Sequence, residues 1–122
     1  MHAKIDRMKK DAAALRTLQA AYRRLRQRLA AVGYISQGSV LQRSVATSGR
    51  SGYQWTRKVA QKTVTVSLSR SQFQALAHAV ANQRKLRATI QEMERISRQI
   101  IFASTSDTRR RKRLSKKVLG LN

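Results

Sequence analysis

The spacing of apolar residues changes period twice along this chain. From Leu15 it keeps a heptad, with Leu15, Tyr22 and Leu29 at one seam position and Leu18, Leu25 and Val32 at the other. Met8 extends the first series backward, and Asp11 interrupts the second. The spacing predicts a helix over residues 3–32 packed along its length on a partner helix, with Gly33 as a left-handed stop. In the middle the period becomes two. Val64, Val66 and Leu68 alternate with Thr63, Thr65 and Ser67, the mark of a strand with one buried face. Residues 53–59 alternate in the same way, with Tyr53, Trp55 and Val59 on a common side, and Ser39 to Val45 gives a weaker third strand. The heptad then returns. Leu76, Gln83, Ile90 and Ser97 share one seam position and Ala79, Leu86, Met93 and Ile100 the other, predicting a second helix to about Ile101.

Local signals sharpen these boundaries. Ser69 and Gln72 stand three apart as a capping box, flanked by Leu68 and Phe73 at hydrophobic-staple positions. Tyr34 to Gln37 reads as a short connector. Residues 46–52 form a small loop punctuated by Gly49 and Gly52, with Arg50 at its middle, and match no phosphate-loop motif. Ala60-Gln61 separates the second and third strands. A two-residue hairpin wants Asn-Gly there to reach positive φ, so the pair predicts a longer or bulged connection.

The expected class is α+β: two long antiparallel helices flanking a small three-stranded antiparallel β-meander, with a basic C-terminal tail or short helix. Residues 1–103 form the body and 104–122 the tail. In the tail Leu114, Val118 and Leu121 keep a faint helical spacing, with Asp107 as N-cap and Gly120 as stop. A tail this basic is expected to order on a polyanion. Any seam surface left over would suit a homodimer.

Composition changes the picture through charge. Among 122 residues, 27 Lys and Arg face five acids, a formal net charge of +22. So lopsided a charge repels itself unless a polyanion neutralises it, and nucleic acid is the commonest such partner. Proline and cysteine are absent, which permits long helices and excludes disulfides and thiolate metal sites. The charged first twenty residues argue against a secretory signal, and no run approaches the roughly 18 apolar residues of a membrane span. A cytoplasmic, nucleoid- or ribonucleoprotein-associated protein is the expectation. Catalytic groups are scarce. His2 and His78 stand alone, and neither Asp6–Asp11 nor Glu92–Glu94 has a spacing that shares a helix face. A non-enzyme with no cofactor and no metal is expected.

The candidate phosphate contacts are the run Arg109, Arg110, Arg111, Lys112 and Arg113, then Lys116 and Lys117. With them go Arg23, Arg24 and Arg28 off the first seam, Arg43 and Arg50 around the loop, Arg57 and Lys58 in the second strand, and Arg84, Lys85 and Arg87 in the second helix. Tyr53 and Trp55 are candidates either to stack on unpaired bases or to clamp the sheet on the helices.

Gly38-Ser39-Val40, residues 52–59 (GYQWTRKV), residues 62–69 (KTVTVSLS) and Asn82-Gln83-Arg84-Lys85-Leu86-Arg87 together resemble an uncharacterised bacterial family of small proteins, often encoded beside transposases and other mobile elements. The resemblance covers about residues 36–101. Members often carry clustered cysteines in the loop where this chain has Ser48 and Ser51, so a zinc role does not carry over. Many have Asn-Gly where this chain has Ala60-Gln61. The resemblance implies a mobile-element context and little mechanism.

The expectation is therefore a non-catalytic nucleic-acid-binding protein, a DNA-binding accessory or regulatory factor of a mobile element. Its rivals are a structured-RNA-binding or ribosomal-type ribonucleoprotein component, and a coiled-coil adaptor whose helix seams pair with a transposase.

Overall fold

The computed structural model describes residues 2–43, 52–105 and 114–121. Their order is α1 (His2–Ala30), β1 (Ser39–Gln42), β2 (Tyr53–Val59), β3 (Lys62–Leu68), α2 (Arg70–Ser104) and α3 (Lys116–Leu119). The chain is α+β: a long helix, a three-stranded antiparallel sheet in the order β1-β2-β3, a second long helix and a short C-terminal one. It divides into two compact units, Val32–Arg87 and the pair of segments Met1–Ala31 and Ala88–Asn122.

The unit Val32–Arg87 holds the sheet and the first half of α2. Ser69 closes the predicted capping box: its hydroxyl accepts from the Gln72 backbone N–H at 3.1 Å, and the Gln72 side chain accepts from the Ser69 N–H at 2.9 Å. Two of the orphan donors at the start of α2 are thereby satisfied. Beside the cap, Leu68 is buried and Phe73 packs on Tyr53 with ring centroids 4.7 Å apart. Leu68, Ala79 and Val80 are the buried apolar residues of this unit.

The alternation in residues 63–68 makes a strand, but its apolar side is not uniformly buried. Leu68 is 5% exposed, whereas Val64 and Val66 are 37% and 41% exposed. The reason is positional. Tyr53, which pairs with Leu68, is the residue that meets Phe73 of α2, whereas Val66 and Val64 lie two and four residues further toward the turn.

The hairpin overturns the expectation of a long or bulged connection. Val59 pairs with Lys62, leaving Ala60 and Gln61 as a two-residue turn with φ of 49° and 68°. Both residues sit in the left-handed region that L-residues with a Cβ adopt at a cost. Seven consecutive β2–β3 pairs fix the register and hold them there.

Three further boundaries move. Helix α1 stops at Ala30, so Val32 lies past its end. Gly33 is not left-handed; of the described glycines only Gly38 and Gly120 have positive φ. A Cβ on Gly33 would instead lie 3.3 Å from Asn82 Nδ2, so the position favours a small residue by proximity. Strand β1 ends at Gln42, Arg43 lies beyond it, and Val45 falls outside the described residues. Helix α2 runs on to Ser104, past the expected Ile101.

In the other unit Leu25 and Ile96 are buried, and Leu15, Leu18, Tyr22, Leu29, Met93 and Ile100 are half-buried. Tyr22 and Leu29 of α1 line one open cleft with Ile90, Met93, Glu94, Ser97 and Arg98 of α2. Met8 is 65% exposed and takes no part in the seam. Along α2 the buried and half-buried positions drift from a strict heptad, because Val80 and Ile96 lie off it while seam residue Ile90 is 40% exposed. A straight helix of 3.6 residues per turn slips about 20° per heptad, and the burial follows the helix. Helix α3 is capped by Ser115, whose hydroxyl accepts from the Val118 N–H at 3.2 Å, and is stopped by Gly120 at φ 69°. Asp107, the expected cap, lies outside the described residues.

Candidate nucleic-acid interface

A short connector positions the sheet. In this segment, residues 34–38, the Ser36 N–H donates to the Ala79 carbonyl of α2 at 3.1 Å, and the Asn82 side chain donates to the Tyr34 carbonyl at 3.0 Å. From the sheet, the Trp55 indole N–H donates to the Gln37 carbonyl at 3.0 Å. Gly38 then turns into β1 at φ 102°. Helix, connector and sheet are thus pinned by residues that seemed unrelated in the sequence.

Antiparallel register puts directly opposed side chains on one face. Val40, Trp55 and Val66 form one cross-strand row, Tyr53 and Leu68 another, and Arg57 and Val64 a third. The opposite face carries Gln54, Thr56 and Lys58 of β2 with Thr63, Thr65 and Ser67 of β3. Along the hairpin that second face offers hydroxyl, amide and ammonium groups, and Leu41 of β1, opposite Gln54, stands exposed beside them. Lys58 and the three β3 residues are exposed.

Arg57 and Lys58, adjacent in sequence, therefore part company. The Arg57 guanidinium lies 5.1 Å from the centroid of the Trp55 ring system, in cation–π range. Its Nε is buried and has no hydrogen-bond partner. Trp55 is half-buried, and both of the candidate stacking residues already have ring partners within the chain: Trp55 has Arg57, and Tyr53 has Phe73.

The remaining candidates divide by element. Arg43 follows β1, and its backbone N–H donates to the Gly52 carbonyl, tying the two ends of the loop together. Arg84, Lys85 and Arg87 are exposed on α2, and Arg23, Arg24 and Arg28 are exposed on α1. Lys116 and Lys117 are exposed on α3. Arg50 and the run Arg109, Arg110, Arg111, Lys112 and Arg113 lie outside the described residues.

No acidic residue stands between Asp11 and Glu92. The whole unit Val32–Arg87 consequently carries Lys and Arg side chains and no carboxylate side chain of its own. Of the acids that do occur, Glu92 is committed to Arg95, which donates to it through Nε at 3.1 Å and through Nη2. That hydrogen bond holds the Glu92 carboxyl below its ordinary value and the Arg95 guanidinium above its own.

Sequence reasoning passed over two features. Arg98 lines the α1–α2 cleft with a buried, unpartnered Nε while its Nη2 donates to the Gly120 carbonyl at 3.4 Å, a link to α3 that no local signal announces. The polar face of the hairpin was legible in the alternation of β2 and β3. Among the described residues no group of three or more His, Cys, Asp or Glu is placed to share a metal ion, and no helix is long and apolar enough to cross a membrane.

Protein-family models, curated proteins and solved structures offer no match to this chain.

Proposed function

We propose that this protein binds nucleic acid without catalysis, through phosphate contacts spread over its helices, its sheet and its basic C-terminal run. One observation carries the reading: an 80-residue span without a carboxylate, from Ala12 to Gln91, whose Lys and Arg side chains are exposed at nearly every described position. A surface that only needed solubility would mix the two signs of charge. A surface without acids offers phosphates no repulsion anywhere along that span. The polar hairpin face suits a phosphodiester backbone as well, since hydroxyl, amide and ammonium groups all contact phosphate oxygens. An accessory or regulatory role in a mobile element is the biological setting we favour. It rests on the resemblance of residues 36–101 and leans the ligand toward DNA.

Fluorescence anisotropy with labelled duplex DNA, single-stranded DNA and structured RNA across a salt series tests the proposal. The logarithm of the affinity should fall linearly with the logarithm of salt, by roughly 0.9 per phosphate neutralised on duplex DNA. Replacing Arg23, Arg24 and Arg28 with Ser should flatten that slope by up to about 3 while leaving the fold intact, because all three are exposed. Affinity independent of salt, or no binding tighter than about 0.1 mM at physiological salt, refutes the proposal. A marked preference for the structured RNA over both DNAs keeps the binding role and overturns the DNA assignment.

A further inference from the structure

The two edges of the sheet are unlike. Strand β1 offers four residues and is followed by Arg43. Strand β3 offers seven, Lys62–Leu68, with no proline and no charge after Lys62. Natural sheets blunt long edges with prolines, bulges or inward charges, because an open edge is a template for another strand. None of these devices is present in β3, and the turn that precedes it is tight.

The parity of the ladder fixes which groups face outward. In a two-residue hairpin the flanking pair, Val59 and Lys62, exchanges both of its backbone hydrogen bonds. Alternation then directs the backbone groups of Val64, Val66 and Leu68 toward β2 and those of Thr63, Thr65 and Ser67 toward the free edge. These three residues are spaced evenly about Thr65.

We infer that β3 pairs antiparallel with β3 of a second copy of this chain, about a two-fold axis at Thr65. The axis sets Thr63 opposite Ser67 of the second copy, Thr65 opposite Thr65, and Ser67 opposite Thr63. All three outward-facing residues then find outward-facing partners, which a register shifted by two residues does not achieve. The side chains agree with the backbone. On one face each Val64 meets the other copy's Val66, covering the two valines that stand 37% and 41% exposed. On the other face hydroxyl meets hydroxyl, a favourable cross-strand combination. Lys62 falls opposite Leu68, so no like charges are opposed despite +22 on each chain. A strand so nearly self-complementary in backbone parity, apolar face and charge fits a second copy better than an unrelated strand. The interface is isologous and closes on itself, yielding a six-stranded sheet rather than a fibre. It is also small beside the roughly 1,600 Å² of a standard interface, so association is concentration-dependent.

Sedimentation equilibrium of the full chain in about 0.5 M salt, where screening shortens charge repulsion to a few ångströms, should show mass rising from 13.9 kDa toward twice that value with concentration. Thr65→Pro removes an outward N–H without touching the β2 ladder and should leave the protein monomeric with an unchanged far-UV spectrum. The chain has no cysteine, so introduced thiols report cleanly. A mixture of Val64→Cys and Val66→Cys chains should form a mixed disulfide at least tenfold faster than a mixture of Val64→Cys and Ser39→Cys chains. Directly opposed Cα atoms in such a wide pair lie about 4.5 Å apart, within disulfide range. A wild-type monomer at every concentration overturns the inference. So does a dimer whose 64/66 mixture cross-links no faster than the 64/39 control, and so does a folded Thr65→Pro that still dimerises. Should Thr65→Pro fail to fold, the cross-linking rates decide.

Discussion

Gly38 is where one methyl group should do the most harm. Its φ of 102° is a conformation that residues with a Cβ rarely adopt, at a cost of about 1–3 kcal/mol. A Cβ built there would lie 2.5 Å from the Thr56 carbonyl oxygen and 2.6 Å from Trp55 Nε1. The carbonyl belongs to β2, and Thr56 is paired with Ser39, the residue next to Gly38, so it cannot retreat without opening the first rung of the β1 ladder. The indole can retreat only by giving up its hydrogen bond to the Gln37 carbonyl, worth about 1 kcal/mol. Gly38→Ala should therefore destabilise the sheet unit by about 3 kcal/mol, the strained backbone and the lost bond together. With a urea slope near 1.5 kcal/mol/M, the midpoint should fall by about 2 M. Trp55 is the only tryptophan, so its fluorescence reports on the site under strain. The native emission of the variant should also shift red as the indole loses its carbonyl acceptor to water. Gly33→Ala is the milder comparison: its φ is not positive, and its added Cβ would stand 3.3 Å from Asn82 Nδ2, well outside the 2.5 Å clash at Gly38. A Gly38→Ala midpoint within about 0.5 M of wild type, or a larger loss from Gly33→Ala, would refute the assignment of strain and contact to Gly38.

Two further outcomes follow from local geometry. Ala60→Asn with Gln61→Gly places residues tolerant of positive φ in the tight turn and should stabilise the hairpin by about 1 kcal/mol, raising the melting temperature by about 4 °C; an unchanged or lower value would show that the turn is not strained. Ser69→Ala removes the acceptor of the Gln72 N–H and should cost about 1 kcal/mol in denaturant unfolding, whereas Ser69→Asp should retain most of the stability; equal losses from both would discount the cap.

Period and punctuation alone made much of this protein legible. The switch from heptad to alternation and back located two long helices and three strands, because helical and extended backbones impose different side-chain periods. Ser69 and Gln72 fixed the start of α2, since a capping box needs only residues three apart. The acid-free span is equally local and can be read letter by letter. What escaped the sequence depends on long-range partners. Ala60-Gln61 looks wrong for a two-residue turn, and only the seven-pair register of β2 and β3 forces it into one. Val64 and Val66 have the pattern of buried residues, yet burial requires something on top of them, and the residue that meets Phe73 is opposite Leu68. The polar hairpin face that separates Lys58 from Arg57 is again written in the alternation. The carbonyl that receives the Trp55 N–H is not, for Gln37 lies 18 residues away and is chosen by where the connector crosses the sheet. Periodicity determines which side of an element is apolar; only packing decides how much of that side is covered, and what is left open for a partner.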